Sequence, residues 1–203
     1  MAEARRLILA SGSSARKAML SAAGIAFDVV PADIDEAAIK DQMLVDGRCA
    51  EGSGIALKLA AEKALCVARQ YPDALVIGSD QVLTLGARIF SKAKDRDEAR
   101  MTLKALRGRT HDLESAVALA LCDRLLWQTF ATARLTMREV SDEFLGHYLD
   151  RAGPCLTRSV GAYELEGLGV QLFEKIEGDY FTILGMPLLP LLEELRKREM
   201  LAA

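Results

Sequence analysis

The chain has 203 residues, 51% of them hydrophobic and 27% charged, and its 26 Lys and Arg against 29 Asp and Glu give a formal net charge of −3. That length fits one domain, and the composition supports a buried core rather than disorder. The charge balance excludes a broadly cationic binder of nucleic-acid polymers but leaves room for a local cationic pocket.

Residues 7–10 form a short apolar run that ends in Ser11-Gly12-Ser13-Ser14 and leads into Ala15-Arg16-Lys17. This reads as strand, polar turn and helix, with Ser13 or Ser14 as N-cap and Gly24 as the stop. Residues 27–30 read as a second strand before Pro31. Apolar positions at helical spacing predict a long helix over 54–70, closed by Tyr71-Pro72-Asp73. The continuous apolar run 74–78 predicts a buried central strand, and 81–90 a strand pair around Gly86. An amphipathic helix follows over 95–106, with Asp95 and Asp97 at its positive end. Residues 111–121 and 125–137 read as long strands joined by a turn at 122–124. Ser141 caps a helix to about 149, and a final helix covers 188–198. The pattern predicts a single α/β domain over residues 1–203, with a mixed, elongated central sheet flanked by helices.

The apolar stretches fall short of the roughly 18–20 residues that span a bilayer. The opening Met-Ala-Glu-Ala-Arg-Arg leads directly into a strand rather than a signal-peptide core. A cytoplasmic protein without a membrane partner is therefore expected. Cys49, Cys66, Cys122 and Cys155 have no C-x-x-C spacing and His111 and His147 stand apart, so no zinc site is expected. The thiols read as small buried hydrophobes, and the histidines as structural or surface residues.

Four segments have residues suited to chemistry. The turn before the first helix presents backbone N–H groups and the helix dipole, and Arg16 brings a fork of donors that matches phosphate oxygens. The alternative is an ordinary Ser-capped surface helix. Asp80, in Gly78-Ser79-Asp80-Gln81 after the most apolar strand, stands where open α/β sheets place ligands, and could bind a divalent metal or orient water; it could equally be a turn aspartate. Asp33-Ile34-Asp35-Glu36 is a second carboxylate source, suited either to Mg²⁺ or Mn²⁺ or to a solvated helix start. Residues 161–169 set three glycines around one tyrosine and two glutamates, as for close approach to a planar ligand or a flexible loop. No Ser-His-Asp or Cys-His pairing is visible.

Taken together and in order, these pieces resemble the Maf family of nucleoside triphosphate pyrophosphatases, fold relatives of the inosine triphosphatases. The resemblance runs through residues 7–17, 33–36, 60–64, 76–83, Lys92 and 161–167. It implies an active-site cleft between two lobes, with Asp80 as general base for the attacking water. It matches Ser11, Arg16 and Lys17 to the phosphate-binding loop, and Lys63 and Lys92 to catalytic lysines facing the triphosphate. Glu36 and Asp80 match the divalent metal site, Mg²⁺ or Mn²⁺. Glu166 falls near the substrate, and Ser13 and Gln81 are expected to contact it as well. Gly-Ser-Asp-Gln and Glu-Gly-Leu-Gly look like the subgroup that prefers 7-methyl-GTP, not the one that acts on dTTP and UTP. Ser14, Lys17 and Ala93 depart from the family's usual Pro, Arg and Pro, and a lysine for an arginine keeps a charge but loses the fork.

The implied reaction is hydrolysis at the α-phosphorus to nucleoside monophosphate and pyrophosphate, a sanitation step that removes modified nucleotides. A homodimer is a reasonable state for such a domain. Two rival readings stand beside it. One is a nucleotidyltransferase with a similar N-terminal loop, although the Gly-rich run and Met-Gly usual in that loop are missing. The other is a nucleotide-binding regulator of cell division without turnover.

Overall fold

The computed structural model describes residues 6–45 and 52–202. In chain order the elements are β1 (Leu7–Leu9), α1 (Ser14–Ala22), β2 (Asp28–Val29), α2 (Glu36–Val45) and α3 (Gly52–Ala68). Then come β3 (Leu75–Leu85), β4 (Arg88–Phe90), α4 (Arg96–Leu106), β5 (Thr110–Leu121) and β6 (Arg124–Met137). The rest is α5 (Asp142–Arg151), the short α6 (Cys155–Arg158), a 3-10 turn (Leu168–Leu172), β7 (Phe173–Glu177), the short α7 (Tyr180–Ile183) and α8 (Leu188–Lys197).

Seven strands make one mixed sheet in the order β2-β1-β3-β5-β6-β7, with β4 folded back on β3. β1 runs parallel to β2 and β3, whereas the β3, β5, β6 and β7 pairings are antiparallel. The strand pair expected around Gly86 is present as the end of β3 against β4, but the separate strand expected over 74–78 is corrected here: it is continuous with the first strand of that pair, as one 11-residue β3. Nothing in Gly-Ser-Asp-Gln turns the chain, because β5 offers an unbroken partner from Leu75↔Leu121 to Thr84↔Asp112. Asp80 therefore lies in mid-strand rather than in a turn.

Local chemistry sets the helix starts. Ser13 Oγ accepts from Arg16 N–H, Asp95 from Glu98 N–H and Ser141 from Phe144 N–H, so each caps the helix that follows. The acidic cluster also opens a helix, α2, where Asp35 Oδ1 accepts from Ala38 N–H at 3.0 Å. The sequence reading did not place α2, β7 or the short helices α6 and α7.

Helix α3 lies across one face of the sheet, with Ala56, Ala60, Ala64 and Ala68 against Val76, Ala116, Ala118 and Ala120. Small side chains on both surfaces bring the helix close to the strands. Helices α1 and α8 cover the other face, with Leu20, Leu191 and Leu195 packed on Leu9, Ile77 and Leu119. A further core joins α4 and α5 to β5 and β6 through Leu103, Leu106, Leu113, Leu135 and Leu145. No helix among the described residues is long and apolar enough to cross a membrane.

The cysteines divide differently from expectation. Cys155 is buried, but Cys66 is half-buried and Cys122 is exposed in the β5–β6 turn at φ 59°, where the hairpin needs a left-handed residue. Cys49 lies outside the described residues. His147 is exposed on α5, and His111 is a buried core residue.

Candidate active site

The site begins where β1 stops. The parallel pairing of β1 with β3 ends at Leu9↔Ile77, and Ala10 N–H donates to Ile77 O at 2.8 Å before the chain turns away. On that edge β3 has no strand partner among the described residues until β4 joins it at Leu83, so Asp80 stands just beyond the C-terminal end of the parallel part of the sheet, in the crevice such an ending creates.

Helix α3 brings Lys63 to it. A Cβ at Gly78 would lie 2.1 Å from Ala60 O and 2.6 Å from Ala64 N, so only glycine admits the helix at this distance. Lys63 Nζ is 2.5 Å from Asp80 Oδ1 and 2.7 Å from Glu36 Oε1, bridging the two carboxylates. The side chains of Lys63 and Asp80 are only 11% and 7% exposed, and Asp80 Oδ2 is buried with no hydrogen-bond partner among the described residues. Partial burial pushes the Glu36 carboxyl up, but Lys63, with Lys40 and Lys92, outweighs this and holds it below the usual range.

All ten residues singled out from sequence — Ser11, Ser13, Arg16, Lys17, Glu36, Lys63, Asp80, Gln81, Lys92 and Glu166 — line one cleft of about 990 Å³. Three of them are engaged in ways that change their reading. Arg16 donates from Nε to Gly185 O (2.9 Å) and from Nη1 to Ser79 O (2.9 Å) and Ser11 Oγ (3.2 Å). The fork expected to grip phosphate thus ties the loop to β3 and to the segment after α7, and Nη2 alone is left without a hydrogen bond among the described residues. Burial lowers the pKa of its guanidinium, against the pull of Asp80 and Glu36. Ser13 is occupied as the N-cap. Gln81 Nε2 donates to Ser115 Oγ, Thr182 O and Ile183 O, at 3.0, 3.1 and 3.0 Å, and so holds α7 against the sheet.

The remaining cations face the opening. Lys17 is half-buried at the cleft wall, and Lys92 is exposed there. Loss of hydration and the neighbouring Arg16 and Lys63 lower the pKa of Lys92, while Glu36 and Asp80 oppose the shift. Sequence reasoning missed two further basic residues on the wall, Lys40 and Arg158. The first was findable: once Glu36 starts a helix, Lys40 follows one turn later on the same side.

The wall is not wholly polar. Phe90, Leu113, Val160, Tyr163 and Leu165 line it as well, together with Glu164 and Glu166. The cations can neutralise a polyanion, and the apolar side chains can take a planar ring with acidic groups in the same cleft.

A divalent cation fits the carboxylates present. No group of three or more His, Cys, Asp or Glu side chains suited to a metal occurs among the described residues. However, Mg²⁺ is commonly held by one or two carboxylates with phosphate oxygens and water completing the shell. Asp80 Oδ2, buried and unpartnered, and Glu36 could supply those two.

Fold and cleft together define an α/β protein with a basic cleft around a buried carboxylate. The family model described as "Maf-like protein" matches residues 6–198, and the chain belongs to that family. It is 50% identical over 191 residues to a 7-methyl-GTP pyrophosphatase from Rhizobium meliloti, covering 94% of this chain and 95% of that protein. It is 52% identical over 196 residues to a nucleoside triphosphate pyrophosphatase from Rhodopseudomonas palustris (97% and 95% covered). A 7-methyl-GTP pyrophosphatase from Brucella abortus is 48% identical over 194 residues (96% of each chain).

Proposed function

We propose that the protein is a nucleoside triphosphate pyrophosphatase that hydrolyses its substrate at the α-phosphorus, with 7-methyl-GTP as the preferred nucleotide. The observation that carries this reading is the Lys63–Asp80 pair: one carboxylate oxygen is fastened by an ammonium and the other is free at the floor of a cationic cleft. The family and the names of its relatives support the same reaction.

Lys17, Lys92 and Lys40 gather the triphosphate, which explains how a chain of net charge −3 binds a polyanion. Arg16 adds positive charge from behind and holds the loop in place. Asp80 Oδ2 accepts a proton from a water molecule as the water oxygen bonds to the α-phosphorus. The bond from that phosphorus to the α–β bridging oxygen breaks, and pyrophosphate leaves with the electron pair. A divalent cation bound at Asp80 and Glu36 would draw charge off the phosphate oxygens. Lys63 keeps Asp80 oriented throughout.

The preference for an N7-methylated purine rests on charge. Alkylation at N7 gives guanine a delocalised positive charge, and Glu164 and Glu166 place carboxylates in the same cleft.

The test is pyrophosphate release from canonical nucleoside triphosphates, dTTP, UTP, 7-methyl-GTP and ITP, with Mg²⁺ or Mn²⁺ and no acceptor substrate. Release with 7-methyl-GTP fastest is the expected result. Release that begins only when an acceptor is added would identify a nucleotidyltransferase. Nucleotide binding without any release would identify a regulator.

A further inference from the structure

The segment that carries Glu164 and Glu166 is anchored from behind by a buried polar pair. Tyr163 is 4% exposed and His111, on β5, is 1% exposed. His111 Nε2 and Tyr163 Oη are 2.7 Å apart. Phe173 closes the cluster, edge-on to the Tyr163 ring at 4.8 Å and tilted on His111 at 5.9 Å.

Several features around this pair are hard to account for by core filling alone. The Tyr163 ring lies over Gly161, where a Cβ would stand 2.2 Å from its Cε1. Ala162, between them, has a left-handed backbone at φ 58°, a conformation that disfavours a non-glycine residue. Its carbonyl accepts from Tyr148 Oη at 3.0 Å. His111 Nδ1 is buried with no hydrogen-bond partner among the described residues. A phenylalanine at each of positions 111 and 163 would fill this space without orphaning a polar atom. What the polar pair adds is direction: it fixes Tyr163 at a single point on β5, and the next residues on the chain are the two glutamates of the cleft wall.

We infer that His111 and Tyr163 are positioning residues for base selectivity: their hydrogen bond holds the 161–169 segment so that Glu164 and Glu166 face the base end of the cleft. The inference rests on the nucleotide-hydrolysing reading above. The phosphate end is built on α1, α2, α3, β3 and the segment after β4, and the bond between His111 and Tyr163 involves none of them. Loosening it therefore acts on recognition of the base and leaves the reacting phosphate alone.

Tyr163→Phe and His111→Leu each remove the bond, the first with the ring retained. The readout is the ratio of kcat/KM for 7-methyl-GTP to that for GTP, measured by pyrophosphate release alongside thermal unfolding. In each single variant the ratio is expected to fall about fivefold or more, through a higher KM for 7-methyl-GTP. The Tyr163→Phe/His111→Leu double variant falls no further than the worse single variant, because all three lack the same bond. Hydrogen exchange gives a second readout that needs no turnover: amides in 164–169 exchange faster in Tyr163→Phe, while those of α1 and β3 do not.

An unchanged ratio with a lowered Tm would overturn the inference and leave the pair a purely structural contact. Losses that add in the double variant, or unchanged exchange in 164–169, would overturn it as well. Failure of the underlying reading looks different, since the parent protein itself would then release no pyrophosphate from either nucleotide.

Discussion

Replacing Asp80 by asparagine tests the centre of the proposed chemistry with almost no change in shape. In the parent, Lys63 Nζ lies 2.5 Å from Oδ1, and Oδ2 has no hydrogen-bond partner among the described residues. An ammonium has only hydrogens to offer, so it selects the amide oxygen of the substituted side chain and turns the NH₂ into the place of Oδ2. A donor then stands where the attacking water needs an acceptor. General-base assistance is worth about 10²–10⁴ in rate, so kcat is expected to fall about a thousandfold. Lys63 keeps both Glu36, at 2.7 Å, and the amide oxygen, so the folding cost is modest, about 1–2 kcal/mol. One negative charge is also removed from beside a bound polyanion, so nucleotide affinity measured without divalent cation is expected to hold or improve. Single-turnover pyrophosphate release and calorimetric titration with 7-methyl-GTP measure the two effects separately. A kcat within tenfold of the parent would remove Asp80 from the role of base.

Three further outcomes follow from the same geometry. Gly78→Ala is expected to cost more than about 3 kcal/mol in urea denaturation, because its Cβ would meet the backbone of α3 rather than a yielding side-chain tip; a loss under about 1 kcal/mol would show that α3 can move away freely. Burial lowers the His111 pKa from 6.5 to about 4. The unfolded chain therefore takes up a proton that the fold refuses, and stability falls as pH drops from about 6.5 to about 4, by up to about 3 kcal/mol. His111→Leu should flatten that part of the profile, and an identical slope in parent and variant would contradict the assignment. Chelation of divalent cations is expected to stop pyrophosphate release, and Mg²⁺ or Mn²⁺ to restore it, with nucleotide binding weakened in parallel; full activity in chelator would separate the Glu36–Asp80 carboxylates from any metal role.

The parts of this fold that were legible from sequence are those governed by local rules. Ser13 or Ser14 and Ser141 read as caps followed by helical spacing, and Ser13 and Ser141 cap their helices; Asp95, expected only among the acids at a helix's positive end, caps its own. The long hairpin of β5 and β6 followed from two apolar-rich runs separated by three polar-turn residues. What was not legible depends on partners distant in sequence. β3 reads through Gly-Ser-Asp-Gln because β5 pairs with it, and no local signal in that tetrapeptide announces a neighbour 37 residues away. The side chains of the cleft were found by residue type, but what occupies their donors was not. Arg16 and Gln81 look like free hydrogen-bonding groups on paper, and both turn inward to backbone carbonyls that the α7 turn delivers. Helix α2 was raised only as one reading of the acidic cluster, a helix start, and Asp35 is its cap.

The tie between Arg16 and the carbonyl of Gly185 has a consequence for how the protein is made. These residues are 169 positions apart, and Ser79 Oγ, at the floor of the cleft, donates to the same carbonyl at 3.0 Å. The loop that carries Arg16 leaves the ribosome 169 residues ahead of the carbonyl that fixes its arginine. A chain truncated before residue 185 lacks this tie and cannot present the cleft in its finished form.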